Sequence, residues 1–321
     1  METLPKVGVA LSGGGARGLA HLGVLQVLEE SGVPVDVVAG TSMGGIVACL
    51  YAAGIPLDDL IAFSKKIGIV DLASPDLKWR GLFGHEKLTH LLSDLLGDDG
   101  VTFEDLDVPA AVVCADIETG ELVVLDRGPI IPAMLATSAV PFVFAPIYHQ
   151  GRWLVDGGVL NNLPVDVVCR MGAERILGVN VPPSLDLSLE DEEMSKGLSL
   201  HRLRLFRHHI PDWRLPFLIA EVSAGITIQA IDRTRLTLCP PDLLLEIQLP
   251  GVGLFPTGGG AEIEAGRKVA MAHMEELVKL KARLSLPVWK KLQRSVINRF
   301  RLAWMALRYP EPPLYPGKTV I

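Results

Sequence analysis

Gly40-Thr41-Ser42-Met43-Gly44 sets a hydroxyl at the centre of a G-x-S-x-G pattern, between an apolar run and a helical pattern. A serine on a sharp strand-to-helix turn has its Oγ lifted above the sheet, where it can attack an acyl carbon. Glycine is needed on either side because a Cβ would clash in so tight a turn. The helix that follows favours developing negative charge at its N-terminus. The same residues also fit a plainer role, a serine capping a helix after a glycine turn. A second turn, Gly13-Gly14-Gly15-Ala16-Arg17-Gly18, again lies between an apolar run and a helix, so its amides form a nest for a phosphate or an oxyanion. Read as G-x-G-x-x-G, it fits a dinucleotide-binding oxidoreductase. That fingerprint expects an acid closing the second strand, about 20 residues on. Here Asp36 opens that strand and the Ser42 turn closes it. Turns that follow adjacent strands face one crevice, so the pair predicts a nucleophile beside an oxyanion hole, with Gly13, Gly14 and Gly15 as amide donors.

A serine hydroxyl is a weak nucleophile without a base. None of the eight histidines is an obvious candidate: His21 falls on the first helix, His149 near a turn, and His208 and His209 in a polar stretch. Packing or solvated roles suit them better. Asp156, in Asp156-Gly157-Gly158, ends a short strand from which a loop carboxylate could reach the crevice. Taken alone, Asp-Gly-Gly is equally an ordinary turn.

The elements that must position these residues alternate between strand and helix. Val7 to Leu11 reads as a buried strand, Ala16 to Glu30 as a helix, Val35 to Ala39 as a strand, Gly40 to Ser42 as a turn and Met43 to Ala53 as a helix. Ala110 to Ala115 and Leu122 to Leu125 read as paired strands, Ile130 to Thr137 as a helix and Trp153 to Val155 as a strand. Val165 to Met171 is a helix, Arg175 to Val181 and Leu243 to Ile247 are strands, and Ala261 to Leu284 is the last body helix. The rhythm predicts an α/β fold around a mostly parallel sheet. Residues 182–215, polar and irregular, read as an insert or lid. That gives a catalytic domain over residues 5–284 and an extension over 285–321.

Of the 321 residues, 49 % are hydrophobic and 21 % charged, enough for one large core. Cys49, Cys114, Cys169 and Cys239 are far apart and form no C-x-x-C pair, so they read as free thiols in a reducing compartment. The first residues lack the basic and apolar regions of a signal peptide, and no apolar run reaches membrane-spanning length. A cytoplasmic protein is expected. The net charge of −7 is uneven: residues 1–278 hold 20 basic and 36 acidic residues, whereas residues 279–321 hold ten basic and one acidic. The acidic body argues against nucleic acid as a partner.

Three blocks, Gly13 to Gly18, Gly40 to Gly44 and Asp156 to Gly158, resemble in this order the signature of patatin-like phospholipases. Ala136-Thr137-Ser138-Ala139-Val140-Pro141 resembles the proline-containing block of that family. Asp156 to Pro164, with Asn161 and Asn162, resembles its bacterial and neuropathy-target-esterase branch. The resemblance spans roughly residues 5–280. It implies a three-layer α/β/α fold and a lipid ester substrate, phospholipid or lysophospholipid, with no cofactor and no calcium requirement. It also implies a Ser42–Asp156 dyad. Ser42 would attack the acyl carbonyl and Asp156 would take its proton and later activate water. Gly13, Gly14, Gly15 and the Met43 amide would hold the oxyanion. Arg17 would stand where a cation assists, or point outward in a structural role. Gly18, Gly40, Gly44, Gly157 and Gly158 would shape the turns. A non-catalytic lipid-binding protein with the same motifs is the alternative.

Beyond this resemblance, Trp289, Leu292, Val296, Phe300, Ala303, Trp304 and Leu307 recur at helical spacing, with Lys290, Lys291, Arg294, Arg301 and Arg308 mostly on other faces. A basic amphipathic helix over 287–308 suits an anionic membrane surface, peripheral on the inner face. The same stripe could pack on the body or on a second subunit.

Overall fold

The computed structural model describes residues 5–65, 83–97, 100–183, 215–252 and 259–281. The body of the expected insert (184–214) and the extension (285–321) lie outside the described residues. Among the described residues, eight strands form one sheet: β1 (Val7–Leu11), β2 (Val37–Thr41), β3 (Ala110–Asp116), β4 (Leu122–Leu125), β5 (Ile147–His149), β6 (Arg152–Asp156), β7 (Arg175–Asn180) and β8 (Leu243–Glu246). Their order is β5-β6-β3-β2-β1-β7-β8, with β4 also on β3. The run from β3 to β8 is parallel, while β4, β5 and β6 pair antiparallel.

The helices are α1 (Ala20–Glu30), α2 (Met43–Ala52), α3 (Leu57–Ser64), α4 (Glu86–Leu96), α5 (Ile130–Thr137), α6 (Val165–Arg170), α7 (Leu215–Leu238), α8 (Gly260–Ala272) and α9 (Met274–Lys281). Parallel strands covered on both faces read as continuous apolar runs, and β1 and β2 are buried at every position. Alternation along each strand then divides the core. Val9, Leu11, Val38, Val112 and Cys114 face one layer, where α1, α2, α5 and α8 pack. Ala10, Val37, Ala39, Ala111 and Val113 face the other, against Leu163, Val165 and Val168 of the α6 region and Leu236 and Cys239 at the end of α7. The result is three layers, α/β/α. Among the described residues, no helix is long and apolar enough to cross a membrane.

Several boundaries move from those expected. The first helix opens as a tight 3-10 turn over Gly15–Leu19 before α1 begins. β2 runs on through Gly40 and Thr41, leaving Ser42 alone as the turn. The last body helix breaks at His273 into α8 and α9.

One feature of register positions the site. β2 pairs with Ala110 to Val113 of β3, β6 pairs with Cys114 to Asp116, and β4 runs along Val112 to Ala115. Because β4 overlaps both, β2 and β6 must share the opposite edge of β3. Parallel β2 and antiparallel β6 therefore run head-on along that edge. Thr41 sits opposite Val113, and Asp156 opposite the next residue, Cys114.

Candidate active site

Ser42 has φ 54° and ψ −127°, a backbone region that non-glycine residues rarely occupy. Holding it there costs on the order of 1–3 kcal/mol, which the surroundings must offset. Its N–H donates to Thr137 Oγ1 at 3.0 Å, and that hydroxyl donates to the Val113 carbonyl at 2.5 Å. Its carbonyl accepts from Ile46 N–H at 3.0 Å, and Thr41 Oγ1 donates to the Asn161 carbonyl at 2.9 Å. Ser42 occupies the N-cap position of α2, yet its hydroxyl makes no capping bond. That leaves the Oγ unused by the helix.

The flanking glycines serve close approach. A Cβ on Gly40 would collide with the Gly44 carbonyl oxygen, and one on Gly44 would lie 2.5 Å from the carbonyl oxygens of Leu11 and Ser12. All three oxygens belong to the backbone and cannot move aside. Gly40→Ala is therefore expected to cost about 3 kcal/mol or more, read from urea denaturation, because the overpacking has no outlet. A cost under about 1 kcal/mol would show that the turn is looser than described.

The glycine loop packs directly on this turn. A Cβ on Gly13 would lie 3.0 Å from Ser42 Cβ, and one on Gly18 2.6 Å from Met43 Cγ. Gly13 requires a correction. Its N–H already donates to the Asn162 carbonyl at 3.1 Å, so it is anchored and not a spare donor. The amides of Gly14, Gly15 and Met43 have no acceptor among the described residues. Of the two readings of Arg17, the outward-pointing one does not hold. It is buried, and Nη1 donates to the Val252 carbonyl at 2.6 Å, tying the loop to the chain after β8. Asp36, the acid just before the second strand, accepts from Val7 N–H at 2.6 Å where β1 begins, away from the glycine loop that follows its other end. The dinucleotide reading loses its recognition residue.

Asp156 closes β6 and is buried, with Oδ1 accepting from Gly158 N–H at 2.8 Å. Burial pushes its carboxyl up to about 6, opposed by the neighbouring Ser42 hydroxyl and by the hydrogen bond from the Gly158 amide. Gly157 lets the chain turn against β3, because a Cβ there would strike the Val113 carbonyl. Ser42, the turn at Asp156 and the Gly14 and Gly15 amides thus lie around the end of β2. The histidines stand aside. His21 is buried and neutral, its ring held down to about 4 by burial, and Nε2–H donates to the Ser12 carbonyl at 2.8 Å. His85 Nε2 is 2.6 Å from the Ala145 carbonyl. His208 and His209 lie outside the described residues.

An apolar pocket opens beside Ser42, lined by Met43, Ile46, Val47, Leu50, Leu88 and Phe144 among others. Along α2, Leu50 lies about 12 Å beyond Ser42 at 1.5 Å per residue, so the apolar lining extends two turns of the helix away from the hydroxyl. Thr137 and Asn162 were visible only as members of matched blocks, and their contacts were not. Asp232, on α7, gave no sequence signal at all. It is buried, and Asn162 Nδ2 donates to its Oδ2 at 3.2 Å.

Residues 9–168 match the family model described as patatin-like phospholipase. An uncharacterized NTE family protein of Mycobacterium bovis is 37% identical over 180 residues, covering 55% of this chain and 49% of that protein. A patatin-like phospholipase domain-containing protein of Caenorhabditis elegans is 32% identical over 197 residues, 58% of this chain and 14% of its own length. Lysophospholipase NTE1 of Mycosarcoma maydis is 31% identical over 191 residues, 54% of this chain and 10% of its own length. The chain thus spans about half the length of the mycobacterial relative and much less of the other two. Through residues 9–168 it belongs to the patatin-like phospholipase family, on the NTE-like side.

Proposed function

We propose that this chain is a serine lipid acyl hydrolase that cleaves carboxylic esters of phospholipids or lysophospholipids. The observation that supports the reading is the head-on meeting of β2 and β6, with Thr41, the residue before Ser42, opposite Val113 and Asp156 opposite Cys114. Ser42 Oγ attacks the acyl carbon as its proton passes to Asp156. The carbonyl π pair moves onto oxygen, where the Gly14, Gly15 and Met43 amides and the N-terminus of α2 receive the charge. Collapse expels the alcohol, which takes the proton from Asp156 and leaves an acyl-serine. Water then gives a proton to Asp156 and attacks the acyl carbon; collapse releases the fatty acid as Ser42 Oγ leaves and takes that proton back from Asp156. With its pKa at about 6, Asp156 is ionised at neutral pH and matched to this shuttle.

The pocket supports a long acyl chain as the group transferred. Incubation with palmitoyl lysophosphatidylcholine or a diacyl phosphatidylcholine is expected to release fatty acid, measured by mass spectrometry. No release above the Ser42→Ala background on either lipid would reject the reading. Narrowing the pocket with Leu50→Trp should lower kcat/KM on long-chain esters about 10- to 100-fold, at about 0.8 kcal/mol per excluded methylene, and spare butyryl esters. Equal losses on both would mean that the chain lies elsewhere.

A further inference from the structure

Asn161 and Asn162 sit where three parts of the site converge. The Asn161 carbonyl accepts from Thr41 Oγ1 at 2.9 Å, and the Asn162 carbonyl accepts from Gly13 N–H at 3.1 Å. Two adjacent main-chain carbonyls thereby pin the end of β2 and the glycine loop. Five residues upstream, the same segment begins at Asp156 itself. Where their side chains go then matters for the geometry of the whole site.

Both side chains lead towards α7. Asn162 Nδ2 donates to Asp232 Oδ2 at 3.2 Å. Asn161 Nδ2 donates to Asp166 Oδ1 at 2.8 Å, and the other oxygen of Asp166 accepts from Arg235 Nη2 at 2.8 Å. Asp232 and Arg235 are three residues apart, on one face of the helix. Gln229, a further turn back, donates to the Pro183 carbonyl at 2.8 Å. One stripe of α7 therefore grips the catalytic segment and the chain that follows β7.

We infer that Asp232 is a positioning residue for ester hydrolysis, acting through Asn162 on the gap between the glycine loop and the Asp156 turn. An ionised carboxylate only accepts hydrogen bonds, so it obliges the Asn162 amide to turn Nδ2 towards it and Oδ1 the other way. That Oδ1 then faces the gap, 2.6 Å from where a Cβ would stand on Gly13 and 3.3 Å from one on Gly158. With the amide fixed, the spacing between the oxyanion amides and the proton acceptor is fixed too. Burial raises the Asp232 carboxyl to about 6, opposed by the Asn162 side chain, the Leu163 amide and Arg235. A buried carboxylate of this kind is poor value for stability, and apolar residues often replace such groups without loss. Its place on the site's one hub gives it a positional use instead.

The inference rests on the proposed hydrolase activity, so its test needs a readout that does not. Asp232→Leu removes the acceptor, and Asp232→Asn restores one of similar shape. At pH 8 the leucine variant is expected to lose about 10²-fold in kcat on a butyryl ester with KM within about 3-fold, the cost of roughly 1 Å of misplacement. The asparagine variant should recover to within about 5-fold of wild type, and Asn162→Ala combined with Asp232→Leu should lose no more than either alone. Independently of turnover, amide hydrogen exchange at Gly13 should quicken in the leucine variant and stay slow in the asparagine variant. If Gly13 exchange ignores Asp232, or kcat falls equally in both substitutions, the inference is overturned. If Gly13 responds as expected while wild type hydrolyses no ester, the positional link stands and the proposed activity falls.

Discussion

Ser42→Ala should abolish turnover, lowering kcat by on the order of 10⁵- to 10⁶-fold, because nucleophile and base act as one unit. The residual rate would come from the glycine amides and from binding alone. The same position makes an unusual stability prediction. Ser42 is held at φ 54° and ψ −127°, and the strain is set by the backbone, not by the hydroxyl. Ser42→Gly relieves about 1–3 kcal/mol of that strain and gives back about 1 kcal/mol through greater freedom of the unfolded chain. The glycine variant should therefore be inactive yet at least as stable as wild type, in contrast to most buried substitutions. Urea denaturation of the two proteins provides the comparison. A marked loss of stability would mean that the turn is not strained and that its hydroxyl has a structural partner.

Asp156→Asn should lower kcat by about 10³- to 10⁵-fold, since a general base and its shuttle are lost together. For wild type, the catalytically useful form is the carboxylate, so kcat/KM on a neutral short-chain ester should climb about tenfold per pH unit below 6 and level off above it. Stability should move the other way. The folded carboxyl sits at about 6 against an ordinary 3.8, so the native state binds more protons across that interval and is most stable below it. As pH rises through the window, wild type should lose about 3 kcal/mol from this group, at 1.36 kcal/mol per unit. Asp232, also raised to about 6, adds a slope of the same sign. Asp156→Asn should remove its own share and be the more stable protein at pH 8. Denaturation at pH 4.5 and pH 8 tests this. A stability difference between wild type and variant that does not change with pH would show that Asp156 is not buried and ionising as described.

Local structure could be read directly from residues. Strand, turn and helix around Gly13 and Ser42 follow from short-range constraints, and the glycines appear where the backbone leaves no room for a Cβ. Spatial pairing could not be read this way. Asp156 is more than a hundred residues from Ser42, and it reaches the serine because β6 takes over the edge of β3 that β2 vacates. Composition and periodicity carry no trace of such a replacement, and the pairing came only from resemblance to a family. Gly13 shows a second limit. Its type predicted a spare amide, whereas a carbonyl from a segment far along the chain had already claimed it. Asp232 was hidden for a related reason, being one acid on a long helix whose partner, Asn162, is distant in sequence.

Treatment with a fluorophosphonate probe, followed by digestion and mass spectrometry, bears most directly on the whole scheme. An activated hydroxyl beside spare amides should take up a single phosphonyl group, on the peptide containing Ser42, with the rate collapsing when residue 156 is asparagine. An unmodified Ser42 peptide, or equal labelling with and without the carboxylate, would contradict it.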